Sequence, residues 1–264
     1  MLAIFLVHNL KYGQQEDAKE FLDHFIDIID HEYYKLTGKK KYISKKFIIG
    51  MNQYTVCKSG HVYLEKEIPE NCLMLPIYRP DDDSDLATCI ERYFRFQNCD
   101  DLSYCARCDK MVARKIQHKI QELPQILVIQ LLRFGKNVKN KIVKFKTRVK
   151  FDQDICLSQY LDKDVISKNY QLKGFVQHTG VNLENGHYRC TVNVNDTWTF
   201  FDENLKLTTP NIKEYIETCT NYITPYILFY EKQENRPIEP PLQLSEASSK
   251  ICGRFCFKIN LFYI

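Results

Sequence analysis

The sequence predicts an α+β fold, and three stretches carry that prediction. Gln14 to Tyr33 reads as an amphipathic helix, because Phe21, Leu22, Phe25, Ile28 and Ile29 recur at three- to four-residue spacing. Pro124 to Phe134 (PQILVIQLLRF) is a short, nearly continuous apolar run with β-branched residues, the pattern of a buried strand. His187 to Asp202 holds two β-rich runs around Asn195-Asp196, which is turn chemistry.

Composition narrows the classes. A chain of 264 residues that is 44% hydrophobic has apolar material for one large domain or two small ones. Its aromatic content excludes disorder throughout. The net charge is +4 with lysines and acids interleaved, so no basic stripe argues for nucleic acid. No apolar run reaches the roughly 20 residues that span a bilayer, and no membrane is expected. Met1–Leu10 (MLAIFLVHNL) lacks a basic n-region and a small-residue cleavage site; it reads as a buried segment cut off from an upstream partner rather than a signal peptide. The eleven cysteines are odd in number, and without a secretory signal they point to a reducing compartment, cytoplasmic and/or nuclear.

Taken in order, the helix has Glu16, Asp17 and Glu20 in its first turns, where the dipole favours acids. Lys35 to Lys46 is a basic connector containing Gly38. Phe47 to Ile77 alternates like β structure and contains Cys57 and His61. Pro80 to Asp85 is a turn that caps a second helix, Leu86 to Phe96, and a Cys-x-x-Cys follows at Cys105 and Cys108. After the apolar strand come expected strands at Val143–Phe151, Leu172–His178, His187–Val194, Trp198–Asp202 and Tyr226–Tyr230, with a short helix at Ile212–Cys219. Gln233 to Lys250 is rich in Pro, Ser and Glu and reads as a poorly ordered linker; Ile251–Ile264 is apolar again without a period tied to the rest.

The stretch from His187 to Asp202 has chemical content. If the loop is Asn195-Asp196 alone, Val194 opposes Thr197 and Arg189 opposes Asp202. His187 then shares a face with Asp202 as its diagonal neighbour, roughly 7–8 Å away at the backbone and within side-chain reach. A carboxylate there would fix the tautomer of the imidazole and stabilise its protonated form, as a general base requires. A loop one residue longer would put the two on opposite faces. The plain alternative is an ordinary hairpin with polar ends.

The surroundings of this hairpin resemble the ubiquitin-specific protease family. The resemblance rests on His178-Thr-Gly180, Gly186-His187-Tyr188, Trp198 with Phe201-Asp202-Glu203, and Tyr226-Ile-Leu-Phe-Tyr230, in that order. Upstream, Gln15-Glu-Asp17-Ala-Lys-Glu20-Phe-Leu22 is similar to the family's Q-x-D-A-x-E-F-L helix, and Pro124 to Arg133-Phe134 to its R-F strand. Two departures are Glu203 for Asp and Lys19 where His is common. The resemblance implies a papain-like cysteine protease of thumb, fingers and palm. It divides the chain into a truncated thumb remnant (1–46), fingers with a zinc ribbon (47–109), a palm with the His/Asp box (110–232) and a tail (233–264). His187 takes the place of the catalytic base and Asp202 that of the residue orienting it.

The family's nucleophile lies in a G-N-T-C-Y-x-N-S box well before the Q-x-D-A helix, and no cysteine precedes Cys57 here. The box's asparagine, which helps stabilise the oxyanion, is missing with it. Cys190 is three residues from His187 along a strand and so points to the other face. Cys156, in an expected loop, has no visible route to His187. The chain is therefore expected to be inactive on its own, either as an incomplete gene product or as a binding module that does not cleave.

Cys105-Ala-Arg-Cys108 is half a zinc ribbon, whose natural partner is a second Cys-x-x-Cys on an earlier hairpin. The matching place holds Cys57 followed by His61 at Cys-x3-His spacing. Cys57, His61, Cys105 and Cys108 would make a Cys3His structural site with no position open for water. The alternative is a finger that has lost its metal and is held by packing. No cofactor is expected for catalysis.

The implied substrate is ubiquitin's extended, basic tail ending in Gly-Gly. Asp17 and Glu20, one helical turn apart, stand where the family meets the tail's arginines; dipole stabilisation explains them equally well. Phe134, Tyr188 and Tyr226 are candidates to line the cleft or simply to pack in the core. The implied function is thiol-dependent hydrolysis of the bond after ubiquitin's C-terminal glycine, with ubiquitin and ubiquitinated proteins as partners. The alternatives are an inactive ubiquitin-binding module and a zinc-stapled scaffold unrelated to ubiquitin.

Overall fold

The computed structural model describes residues 16–77, 84–137, 139–163, 169–180, 186–203, 205–209, 211–217 and 223–233. The expected tail from residue 234 onward, the opening apolar segment and most of the Pro80–Asp85 turn lie outside these residues. Among the described residues no helix is long and apolar enough to cross a membrane.

Helix α1 (Ala18–Thr37) starts where its cap dictates. Asp17 is extended (φ −73°, ψ 135°), and its carboxylate accepts from the backbone N–H of Lys19 at 2.7 Å and Glu20 at 3.3 Å. The helix runs one turn past Tyr33 and ends at Gly38, whose φ of 72° suits a residue without a Cβ. The expected end at Tyr33 is thus short. The last turn faces water and shows no apolar period, with Leu36 85% exposed.

The strands follow in chain order: β1 (Ile49–Cys57), β2 (Val62–Glu70), β3 (Leu73–Pro76) and β4 (Ser84–Asp85), then helix α2 (Leu86–Phe94). After α2 come β5 (Gln97–Cys105), β6 (Lys110–Glu122), β7 (Ile126–Leu132), β8 (Phe134–Lys136), β9 (Ile142–Lys144), β10 (Val149–Lys150) and β11 (Asp154–Cys156). The last group is β12 (Asn169–Gly180), β13 (Gly186–Val194), β14 (Thr197–Asp202), β15 (Leu205–Thr209), helix α3 (Ile212–Glu217) and β16 (Ile223–Lys232).

Two larger sheets organise most of these elements, while β4 pairs with β10 and β8 with β9 in two-stranded ribbons. A four-stranded antiparallel sheet has the order β2-β1-β6-β5. The larger sheet runs β15-β14-β13-β12-β16-β7-β3 with β11 beside β12; only β3 lies parallel to its neighbour. The expected fingers boundary after residue 109 falls inside the β5–β6 hairpin, and the small sheet continues to Glu122. Strands β5 and β6 escaped the sequence reading because both of their faces are largely wet, so no apolar alternation marks them.

Each face of the large sheet has its own core. On one face α1 inserts Ala18, Phe21, Leu22 and Ile26 against Val128, Val176, Cys190, Phe201 and Ile227. On the other, α2 contributes Leu86, Cys89, Ile90 and Phe94 to a core shared with Leu127, Ile129, Leu131, Phe175 and Leu228. Strand β7 is buried from Leu127 to Leu131 because both faces are covered, as its continuous apolar run requires.

One expected strand is divided. Val143–Phe151 yields only β9 and β10, since the buried Arg133 guanidinium takes the carbonyls of Phe145 (3.2 Å) and Thr147 (2.8 Å) that a ladder would use. Cys156, expected in a loop, lies in β11 with its side chain exposed.

Candidate active site

The site begins with a turn. Asn195 (φ 51°) and Asp196 (φ 60°) are both left-handed, as a two-residue type I′ hairpin demands. Val194 pairs with Thr197 and Cys190 with Phe201, so Arg189 stands opposite Asp202 and His187 is Asp202's diagonal neighbour. The assumed register is the observed one. His187 Nε2 and Asp202 Oδ1 are hydrogen-bonded, and Arg189 Nε stands 2.8 Å from the other carboxylate oxygen. The His187 and Asp202 side chains are 20% and 16% exposed, so the pair sits at the protein surface with most of its area withdrawn from water. Strand alternation sends Tyr188 and Cys190 the other way, into the core beneath α1.

With Nε2 turned to the carboxylate, Nδ1 is the ring's second nitrogen, on the other side of the imidazole. Arg189 places a guanidinium beside the carboxylate oxygen that does not face His187. Its place opposite Asp202 was legible from the register, but its role as a charge partner was not drawn from the sequence.

A second assembly lies where α1 meets the sheet. Asp17 Oδ2 accepts the hydroxyls of Tyr226 (2.6 Å) and Tyr188 (3.3 Å), and Gln130 donates to the Tyr226 hydroxyl at 2.7 Å. Burial, followed by the neighbouring Asp17 charge, pushes the Tyr226 phenol far above its ordinary range, so it stays a donor. The Tyr226 ring lies 6.0 Å from that of Phe134 and 5.8 Å from that of Tyr188. The structure thus brings together Asp17, Phe134, Tyr188 and Tyr226. Glu20 stands apart from them, its side chain 59% exposed in the first turn of α1. The two acids do not form one matched pair, because Asp17 is spent as the cap while Glu20 projects into water.

His178 is a participant the sequence reading quoted without assigning it a role. It is buried between the edges of Phe134 and Tyr188, at ring distances of 5.3 and 5.0 Å. Burial, then the charges of Lys144, Arg133 and His187, press its pKa down to about 4, so it is neutral. Gly186 is forced by this ring: a Cβ there would lie 2.0 Å from His178 Nε2. The sequence signals were His178-Thr-Gly180 and Gly186-His187-Tyr188, from which no contact between His178 and Gly186 was read.

At the far end of the small sheet, the β1–β2 and β5–β6 turns bring Cys57, His61, Cys105 and Cys108 together, their ligand atoms all within 4.8 Å of one another. His61 Nδ1 lies 3.5, 3.5 and 3.3 Å from the sulfurs of Cys57, Cys105 and Cys108, and the Cys57 and Cys108 sulfurs are 3.8 Å apart. A tetrahedron built on zinc's usual S and N bond lengths has edges of about 3.3–3.8 Å. The turns are tied locally: Gly60 N–H donates to the Cys57 carbonyl at 2.9 Å and Cys108 N–H to that of Cys105 at 3.0 Å. The Tyr63 hydroxyl lies 3.2 Å from Cys105 Sγ, a polar neighbour outside the ligand set.

The fold and the sequence are similar to those of known proteins. Solved structures with this fold include the SAGA DUB module bound to monoubiquitin (TM-score 0.72, 23% identity, 84% of this chain and 49% of that one). The module bound to ubiquitin aldehyde is similar (TM-score 0.68, 22% identity, 84% and 50%). Among curated proteins, ubiquitin carboxyl-terminal hydrolase 25 of Arabidopsis thaliana is 29% identical over 89% of this chain and 36% of its own length. Ubiquitin carboxyl-terminal hydrolase 36 of Drosophila willistoni is 26% identical over 87% of this chain and 18% of its own. The chain therefore spans about a fifth to a third of these relatives. The sequence profile of the ubiquitin carboxyl-terminal hydrolases matches residues 5–230, and the chain belongs to that family.

Proposed function

We propose that this chain is the base-bearing, ubiquitin-binding portion of a thiol-dependent deubiquitinase. The observation that carries the reading is the His187–Asp202–Arg189 arrangement, a carboxylate that orients an imidazole and is itself held by a guanidinium. In the reaction a cysteine thiol gives its proton to His187 Nδ1, and the sulfur attacks the carbonyl of ubiquitin's last glycine. The bond to the amine breaks, the amine leaves with the proton from His187, and a thioester remains. Water, deprotonated by His187, then frees the ubiquitin carboxylate and restores the thiol.

The chain alone is expected to bind without cleaving. Cys190 favours this reading, since it is buried beneath α1 on the face of β13 opposite His187. Ubiquitin and its conjugates are the proposed partners. Asp17, Tyr188, Tyr226 and Phe134 shape the end of the tail cleft, and Glu20 faces the tail's arginines.

The Cys57, His61, Cys105 and Cys108 set is proposed to hold a zinc ion. Zinc there would join the tips of two hairpins, and it would take no part in the chemistry.

The test is ubiquitin carrying a thiol-reactive group at its C-terminus, incubated with this chain and followed by intact-mass measurement and a binding titration. Saturable binding without an adduct supports the proposal. An adduct at a cysteine of this chain would overturn the inactive reading, and absence of binding would overturn the ubiquitin reading.

A further inference from the structure

Lys144 is almost completely buried. Its Nζ donates to the carbonyls of His178 and Gly180, both at 2.9 Å. These carbonyls belong to the last residues of β12, where Thr179 pairs with His187 and Gly180 with Gly186. Lys144 itself pairs with Phe134 across β8 and β9, and the Phe134 ring packs edge-on against His178. The Thr224 hydroxyl on β16 reaches the same His178 carbonyl at 3.4 Å. Removing an ammonium from water is costly unless it is well bonded, so the bonds to these two carbonyls are held firmly.

We propose that Lys144 is a positioning residue for His187, clamping the end of β12 so that the β12–β13 ladder delivers the imidazole to Asp202. The lysine touches no reacting atom; it acts on the backbone beside the last rung. Beyond His178 this strand end has the ladder pairs Thr179–His187 and Gly180–Gly186 to β13 and Thr179–Ile223 to β16, and the Lys144 bonds add to them. The burial that depresses the Lys144 pKa to about 7 marks the depth at which the clamp is set.

The inference rests on the reading of His187 as the base, but its test measures geometry alone. Failure to bind ubiquitin and failure of the clamp are therefore separate results. Native-state hydrogen exchange is followed at the amides of Thr179 and His187 and, as an internal reference, at Leu172 farther along β12. Lys144→Met keeps the length of the side chain and removes its charge and donors. The expected result is a rise of about tenfold in exchange at Thr179 and His187 relative to Leu172, the size set by a lost buried hydrogen bond. The Nε2 proton resonance of His187 in its bond to Asp202 should weaken in parallel, and Lys144→Arg should restore both. Thr224→Val, a milder change at the same carbonyl, should move exchange in the same direction and serves if Lys144→Met does not fold. A uniform rise along β12, or an unchanged His187 resonance in whichever variant folds, would overturn the proposal.

Discussion

Asp17 and Tyr226, 209 residues apart in the chain, are joined by a 2.6 Å hydrogen bond from the phenol to the carboxylate. The same carboxylate caps α1 through its other oxygen. One side chain therefore starts a helix and fastens it to the strand that carries the cleft's aromatic wall.

Asp17 and Glu20 should separate in mutation. Asp17→Ala removes the cap and leaves two tyrosine hydroxyls without their charged acceptor, a loss of about 2–4 kcal/mol. Glu20→Lys places a cation in an exposed first turn, and about 1 kcal/mol or less is expected. Ubiquitin affinity should fall in Glu20→Lys at nearly unchanged stability. Chemical denaturation and a ubiquitin titration on both variants check this; equal stability losses would contradict the assignment of the cap.

Gly186→Ala should be severely destabilising, because its Cβ would meet His178 Nε2 at 2.0 Å. About 2–4 kcal/mol is expected, with His178 displaced. In a His178→Ala background the same substitution should cost much less. A double-mutant cycle by thermal melting measures the difference, and additive losses would rule out the ring contact as the cause.

Stability should depend on pH through His178. Its folded pKa of about 4 lies below the ordinary value of 6.5, so between those limits the unfolded chain binds a proton that the folded chain refuses. Stability contributed by the neutral ring is complete above pH 6.5 and is lost as pH falls toward 4, by up to about 3 kcal/mol. The groups that set this are the buried surroundings together with Lys144, Arg133 and His187. Carboxylates such as Asp162 and Glu65, held low by their hydrogen bonds, lose stability in the same direction at lower pH. The difference between wild type and His178→Asn isolates the imidazole; a difference independent of pH from 7 to 4 would exclude this role.

Metal content tests the four-residue cluster. Elemental analysis of purified protein should find close to one zinc per chain, and less than a tenth of an equivalent would end the proposal. Cys108→Ser should lower zinc content and the melting temperature together. Circular dichroism on chelation should show loss confined to the small sheet, since the two cores of the large sheet do not depend on that tip.

The residues explain why some of the fold was readable and some was not. The α1 stripe, the β7 run and the β13–β14 hairpin were legible because burial on one face or both writes a period into the sequence. The full extent of β6 was not, because a strand wet on both sides is under no such pressure. Val143–Phe151 looked like one strand because composition cannot reveal that Arg133, ten residues upstream, diverts its carbonyls.

By itself the sequence determined the local rules: a turn whose residues accept left-handed angles, the alternation that places His187 and Asp202 on one face, and the cysteine and histidine spacings at two hairpin tips. The tertiary structure alone decided which distant groups answer them. Arg189's hold on Asp202, the Lys144 bonds to the β12 carbonyls, the His178 ring against Gly186 and the Asp17–Tyr226 bond are all products of packing. Periodicity records which way a side chain points, whereas partners far apart in the chain are chosen only when the sheets and helices close around a shared, nearly waterless interior.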